Sequence, residues 1–239
     1  MYKLTRPDGF DFYSGTINYR EAVGAIIRVT DYEPSPEVIC GKGLHASRNP
    51  NDCFIGAKIP CTAFRVKGIQ PIARDKNKTR YQALKIIEEI TDLDKLFGWK
   101  YSEAINPINP FEIDSPKIDI THIKLLKKWD SVRSSVWDSV RSSVSDFVWS
   151  PVWGSVWDSG GGSVWNSVGD SVGDSMYAYI GSLFPNIKKW EYIEHEKDEY
   201  PFQSAVDLWK QGLVPSFDGE KWRLHGKPDG RVVWEGPKD

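Results

Sequence analysis

The feature that most constrains this chain is a four-residue period running from Trp129 to Met176. Counting every fourth position from Val132, valine stands at 132, 136, 140, 144, 148, 152, 156, 164, 168 and 172, with Gly160 and Met176 as the exceptions. Serine precedes each of these positions except at Phe147 and Pro151, so the unit is Ser-Val-[Trp/Arg/Gly]-[Asp/Ser]. In an α-helix four residues turn through about 400°, so a strict period of four drifts by about 40° per repeat and would circle a long helix. Ser, Val, Asp and Gly also cost roughly 0.5–1 kcal/mol each relative to Ala inside a helix. Gly160-Gly161-Gly162 would interrupt one.

A β-solenoid suffers no such drift, because each short face can turn its valine inward and round the corner on Ser, Asp or Gly. In architecture this resembles the pentapeptide-repeat proteins, with a unit of four residues in place of five. The sequence therefore predicts a solenoid-like repeat over 129–176. The alternative is a helical hairpin, one arm over 121–148 and the other over 163–184, joined through the Pro/Gly segment. Trp129, Trp137, Trp149, Trp153, Trp157 and Trp165 keep the same phase, and they account for most of the 11 tryptophans. Trp137, Trp149, Trp153, Trp157 and Trp165 are the candidate interaction surface, since large aromatics at regular spacing pack against a core or a neighbouring chain.

Charge narrows the partner. The repeat holds Asp130, Asp138, Asp146, Asp158, Asp170 and Asp174 against Arg133 and Arg141, a net of −4 inside a chain of net −2. Its flanks are thus mildly basic, and the repeat itself repels a phosphate backbone. A protein partner or a second copy of the chain is expected, and nucleic acid is not.

The flanks have ordinary globular composition and predict an α+β protein in three zones: an α+β domain over 1–128, the repeat over 129–176 and a small α+β cap over 177–239. Tyr2–Arg6, Ala25–Thr30 and Cys61–Val66 read as strands, and Tyr81, Leu84, Ile87 and Ile90 space a helix over 79–90. Thr91-Asp92 caps a short second helix through Phe97, and Ala205–Lys210 forms another that ends near Gly212. A terminal β-hairpin is expected over 217–234, with turns at Asp218-Gly219 and Pro228-Asp229-Gly230. No apolar run reaches the length of a membrane span, and the first residues lack the apolar core of a secretory signal. Cys40, Cys53 and Cys61 form an odd set with no C-x-x-C knuckle, which suits a reducing cytoplasm and predicts no metal site.

The most motif-like stretch is Cys40-Gly41-Lys42-Gly43-Leu44-His45-Ala46-Ser47. It resembles the glycine-rich strand and turn of the ADP-ribosyltransferase superfamily, which lies beside an NAD or phospho-ribose site. The resemblance implies that Gly43 lets the backbone approach a ligand, that Lys42 or His45 meets a phosphate, and that NAD is the cofactor if the family chemistry is present. It also implies a first-strand arginine, for which Arg6 is the candidate, and a Ser-x-Thr element, matched by Ser14-Gly15-Thr16. The family's Glu-x-Glu pair has a counterpart only in Glu194-His195-Glu196, in a charged run beyond the repeat. No P-loop, Rossmann fingerprint, Gly-x-Ser-x-Gly elbow or His-Glu-x-x-His is present.

The chain as a whole resembles proteins from phage and environmental microbial sequences. These combine a Gly-Lys-Gly-Leu-His segment, Ser-Val-Trp-Asp repeats and an ending like Leu208-Trp209 to Trp222-Arg-Leu224. That likeness implies an accessory role, such as interference with a host factor in the host cytoplasm. Two functions are therefore expected from the sequence. One is a noncatalytic interaction protein using the repeat. The other is an ADP-ribosyltransferase-like enzyme or nucleotide binder using the Gly41–Ser47 segment.

Overall fold

The computed structural model describes residues 1–162, 166 and 171–237. The chain divides into two compact units, Met1–Phe97 and Gly98–Asp239, with the repeat inside the second.

The first unit is an antiparallel sheet built on one long hairpin, β4 (Thr62–Arg74) and β5 (Thr79–Ile90). A tight turn joins them, in which the Asp75 carboxylate accepts hydrogen bonds from the Asn77 and Lys78 amides, both at 2.7 Å. The helix expected over 79–90 is therefore a strand. The reason is long-range pairing: β5 pairs with β4 along its length and, on its other side, with β3 (Leu44–Ala46) and β2 (Ile26–Arg28). A helix buried along the spaced apolar stripe would have covered Ile87, which is exposed, whereas Thr79, Arg80, Tyr81, Ala83, Leu84 and Ile86 are buried. Local spacing lost to sheet pairing.

β1 (Tyr2–Thr5) lies against β4, and Tyr2 also exchanges backbone hydrogen bonds with Ser47, just past β3, at 2.8 and 3.0 Å. These contacts close a circuit β1-β4-β5-β3-β1. Tyr19, Leu44, Ala46, Phe64, Val66, Tyr81, Leu84 and Ile86 pack as its core. After β3, Asn49 caps a 3-10 turn over Pro50–Ile55, and the unit ends in α1 (Leu93–Phe97), where Asp92 caps the Lys95 amide at 3.0 Å.

In the second unit the described residues of the repeat are helical, which corrects the solenoid expectation. The α-helices of this unit, among the described residues, are α2 (Tyr101–Ile105), α3 (Ile120–Val132), α4 (Val136–Ser143), α5 (Asp146–Val156), α6 (Ser171–Gly181) and α7 (Gln203–Lys210). Val136, Val140, Val144, Val148, Val152, Val156, Val172 and Met176 are all buried, so the period marks the core-facing side after all. The helices escape the drift by being short. Across α5 the three valines span about 80°, which fits within one apolar stripe. Between helices the chain is re-aimed by a 3-10 turn at Arg133–Ser135, by extended backbone at Val144 and by a π turn at Trp157–Gly161.

Serine has its own part in this packing. Ser139 of α4 and Ser175 of α6 are fully buried on two helices that pack together. The unit ends with α7 followed by a three-stranded antiparallel sheet, β6 (Val214–Phe217), β7 (Lys221–Gly226) and β8 (Arg231–Pro237), so the expected hairpin gains a preceding strand. No helix among the described residues is long and apolar enough to cross a membrane.

Candidate ligand cavity

The Gly41–Ser47 segment borders a cavity of about 1080 Å³ in the first unit. Its geometry begins with Arg80, a fully buried cation on β5. The Arg80 guanidinium donates to the carbonyls of Glu33, Ser35, Val38 and Lys42, and so holds the loop before β3 against the sheet. Gly43 has φ +145, and a Cβ there would sit 2.9 Å from the Arg80 side chain. Gly41 is equally tight against Glu33, at 2.7 Å. Both glycines are therefore required by packing against neighbouring side chains, whatever they do beside a ligand.

A second loop also lines the cavity. Phe10 and Asn18 bridge its base, and the Asp11 carboxylate inside it accepts from the amides of Tyr13, Ser14, Thr16 and Ile17 and from the Ser14 hydroxyl. Burial pushes the Asp11 pKa up, but these hydrogen bonds outweigh it and hold the carboxyl below its usual range. The loop is thus fixed around an ionised aspartate. It presents Tyr13, Ser14 and Thr16 to the cavity, with the two hydroxyls 2.7 Å apart.

Of the four predicted ligand residues, Lys42, Gly43 and His45 line this cavity, together with Ser14 and Thr16. Arg6 does not. Its guanidinium donates to the Phe12 carbonyl at 3.4 Å and packs behind Gly15, so it braces the loop from outside. Lys42 is ion-paired to Asp31 at 2.7 Å, both exposed. His45 Nε2 lies 3.2 Å from the Ile39 carbonyl. Burial lowers its pKa to about 4, and the nearby cations Lys3, Lys78 and Arg80 act in the same direction. The ring is therefore neutral at pH 7; with its proton on Nε2 for the Ile39 carbonyl, Nδ1 is left as an acceptor. Glu194 and Glu196 belong to the second unit.

The residue that sequence reasoning missed is Lys3. Register places it opposite Phe64, and the alternation of β1 and β3 puts it on the side of Leu44 and Ala46, the core side of the sheet. Its ammonium stands 5.4 Å from the centroid of the buried Tyr19 ring. Burial lowers its pKa, against opposing pulls from Cys53 and Asp11. Among the described residues no carboxylate lies within ion-pair distance of it, whereas Lys42 pairs with Asp31 and Lys78 donates to the Cys40 sulfur at 3.0 Å. Alternation of Lys3 with Tyr2 and Leu4 was the available signal, and it could not be read without knowing which face was the core. Among the described residues no cluster of His, Cys, Asp and Glu could hold a metal ion.

The predicted aromatic surface lies in the second unit. Trp149, Trp153 and Trp157 stack along successive turns at 5.8 and 5.9 Å, and Tyr177 of α6 stacks on Trp149 at 5.7 Å and on Trp153 at 5.2 Å. Trp137 meets Tyr177 edge-on at 4.5 Å and keeps 46% of its surface exposed. Arg141 lies 5.5 Å above Trp149. Most of the stacking energy is thus spent within the chain. Trp165 lies outside the described residues.

No family model matches this chain, and no curated protein and no solved structure matches it.

Proposed function

We propose that the first unit is a small-molecule receptor whose ligand is of nucleotide type, held in the cavity between the Gly41–Ser47 segment and the Ser14–Thr16 loop. One observation carries this reading. Two segments that are distant in sequence, each singled out by its residue types, border a single cavity of ligand size. The polar groups there suit a hydroxyl-rich, anionic compound: a neutral imidazole acceptor, paired hydroxyls and lysines at wall and floor. Titration calorimetry with NAD, ADP-ribose, AMP and cyclic nucleotides tests it. Saturable binding that weakens in His45→Leu and protects the exposed Cys40 thiol from alkylation is expected. No heat and no protection at millimolar ligand would overturn the reading.

A second function is favoured by the exposure of Trp137 beside Asp138. In this reading the helical repeat offers an acidic, aromatic face to another protein or to a second copy, the use expected of an accessory protein that interferes with a host factor. Sedimentation at increasing concentration tests the second-copy form. A mass above the monomer that falls in Trp137→Ser supports it, and a monomer throughout removes it.

A further inference from the structure

We infer that Lys3 is the anion anchor of this cavity, taking a phosphate group of the ligand, while Tyr13 on the rim takes the ligand's planar ring. This rests on the nucleotide reading above and names the groups that would select such a ligand.

The case for Lys3 is its placement. A cation on the core side of a sheet, beside a buried tyrosine and opposite a buried phenylalanine, loses hydration, and an ion partner would normally compensate. None is present among the described residues, so the cost stands unless something outside the chain supplies the counter-charge. The wall lysines differ in that each already has a partner. Asp11, whose charge acts on Lys3, is held by the amides and hydroxyl of its own loop. A phosphate entering the cavity would therefore meet a cation free to receive it.

The case for Tyr13 is the contrast between its exposure and its rigidity. It lines the cavity yet is 98% exposed. Its own amide is tied to Asp11 at 3.1 Å, and the loop on either side is fastened to the same carboxylate, so the ring is held out on a fixed support. An exposed aromatic on a rigid loop at a cavity mouth is the arrangement that stacks a base or a similar flat ring. The exposed hydroxyls of Ser14 and Thr16 lie on the same loop and suit the sugar portion of such a ligand.

The test uses the full chain and two probes, AMP and adenosine, by calorimetry. Wild-type protein is expected to bind both, AMP more tightly. Lys3→Met should weaken AMP roughly tenfold to hundredfold while leaving adenosine unchanged. Tyr13→Ala should weaken both probes by roughly fivefold to hundredfold. AMP binding equally well to Lys3→Met would overturn the anchor and leave the cavity reading intact. Failure of the wild-type chain to bind either probe would overturn the anchor, and the cavity reading with it if NAD, ADP-ribose and cyclic nucleotides also give no heat.

A measurement without mutation guards against a variant that fails to fold. The groups facing Lys3 are Asp11, ionised throughout; Tyr19 and Cys53, both raised by burial; and His45, already neutral. Lys3, whose pKa burial lowers, loses most of its charge by pH 10.5, the ordinary lysine value, so the two probes are compared between pH 7 and pH 10.5. AMP affinity of the wild-type chain should fall over that range and adenosine affinity should not. A flat AMP profile would overturn the anchor.

Discussion

At the scale of single residues the first unit holds two groups whose environments oppose their ordinary charge. Lys3 has no ion partner among the described residues, so Lys3→Met should raise stability by about 1 kcal/mol, read from the urea midpoint, even as it weakens AMP binding. A merely damaged variant would lose both. His45 is the second group. Its folded pKa is depressed to about 4 below an unfolded value near 6.5, so the unfolded chain binds the extra proton first. The stability from neutral His45 is fully present above pH 6.5 and is lost as pH falls toward 4, on the order of 2 kcal/mol. Urea denaturation at pH 7 and pH 4.5 should show a smaller drop in His45→Gln than in wild type.

At the scale of elements, the cavity wall depends on Arg80. Removing its guanidinium leaves the carbonyls of Glu33, Ser35, Val38 and Lys42 without their shared donor and frees the loop they belong to. Arg80→Met is expected to cost about 3 kcal/mol and to open residues 33–42 to proteolysis while the hairpin β4-β5 stays protected from hydrogen exchange. In the repeat, Val140→Ala should cost about 2 kcal/mol by leaving a cavity between α4 and α6, whereas Asp138→Ala, exposed on the opposite side of the same turn, should stay within about 0.5 kcal/mol. Thermal unfolding of the two variants compares them directly.

Elements also show how far local pattern could be read. Asp92 and the Pro228-Asp229-Gly230 turn were legible because a cap or a tight turn is decided by a few neighbouring residues and their hydrogen bonds. The strand Thr79–Ile90 was not, because its apolar spacing fits a helix and only its pairing with β4, β3 and β2 settles the matter. The four-residue period was visible, but its meaning depended on where the chain breaks: short helices tolerate a drift that a long one cannot.

At the scale of the whole molecule, the closed strand circuit and its core lie entirely within residues 1–97. A fragment of those residues is expected to fold alone and to bind AMP as the full chain does, measured by chemical-shift dispersion and calorimetry. The sequence by itself determined the buried phase of the repeat, its acidic charge and the turns and caps, since each follows from residue type and short-range spacing. It also marked Lys42, Gly43 and His45 as neighbours, because they are adjacent in the chain. Only the tertiary structure decided that Ser14 and Thr16 face the same cavity, that Arg6 stands behind it, and that Lys3 lies on the core side with no counter-ion among the described residues. Those facts rest on strand register and on contacts between segments far apart in sequence, and no local propensity encodes which face of a strand the rest of the chain will cover.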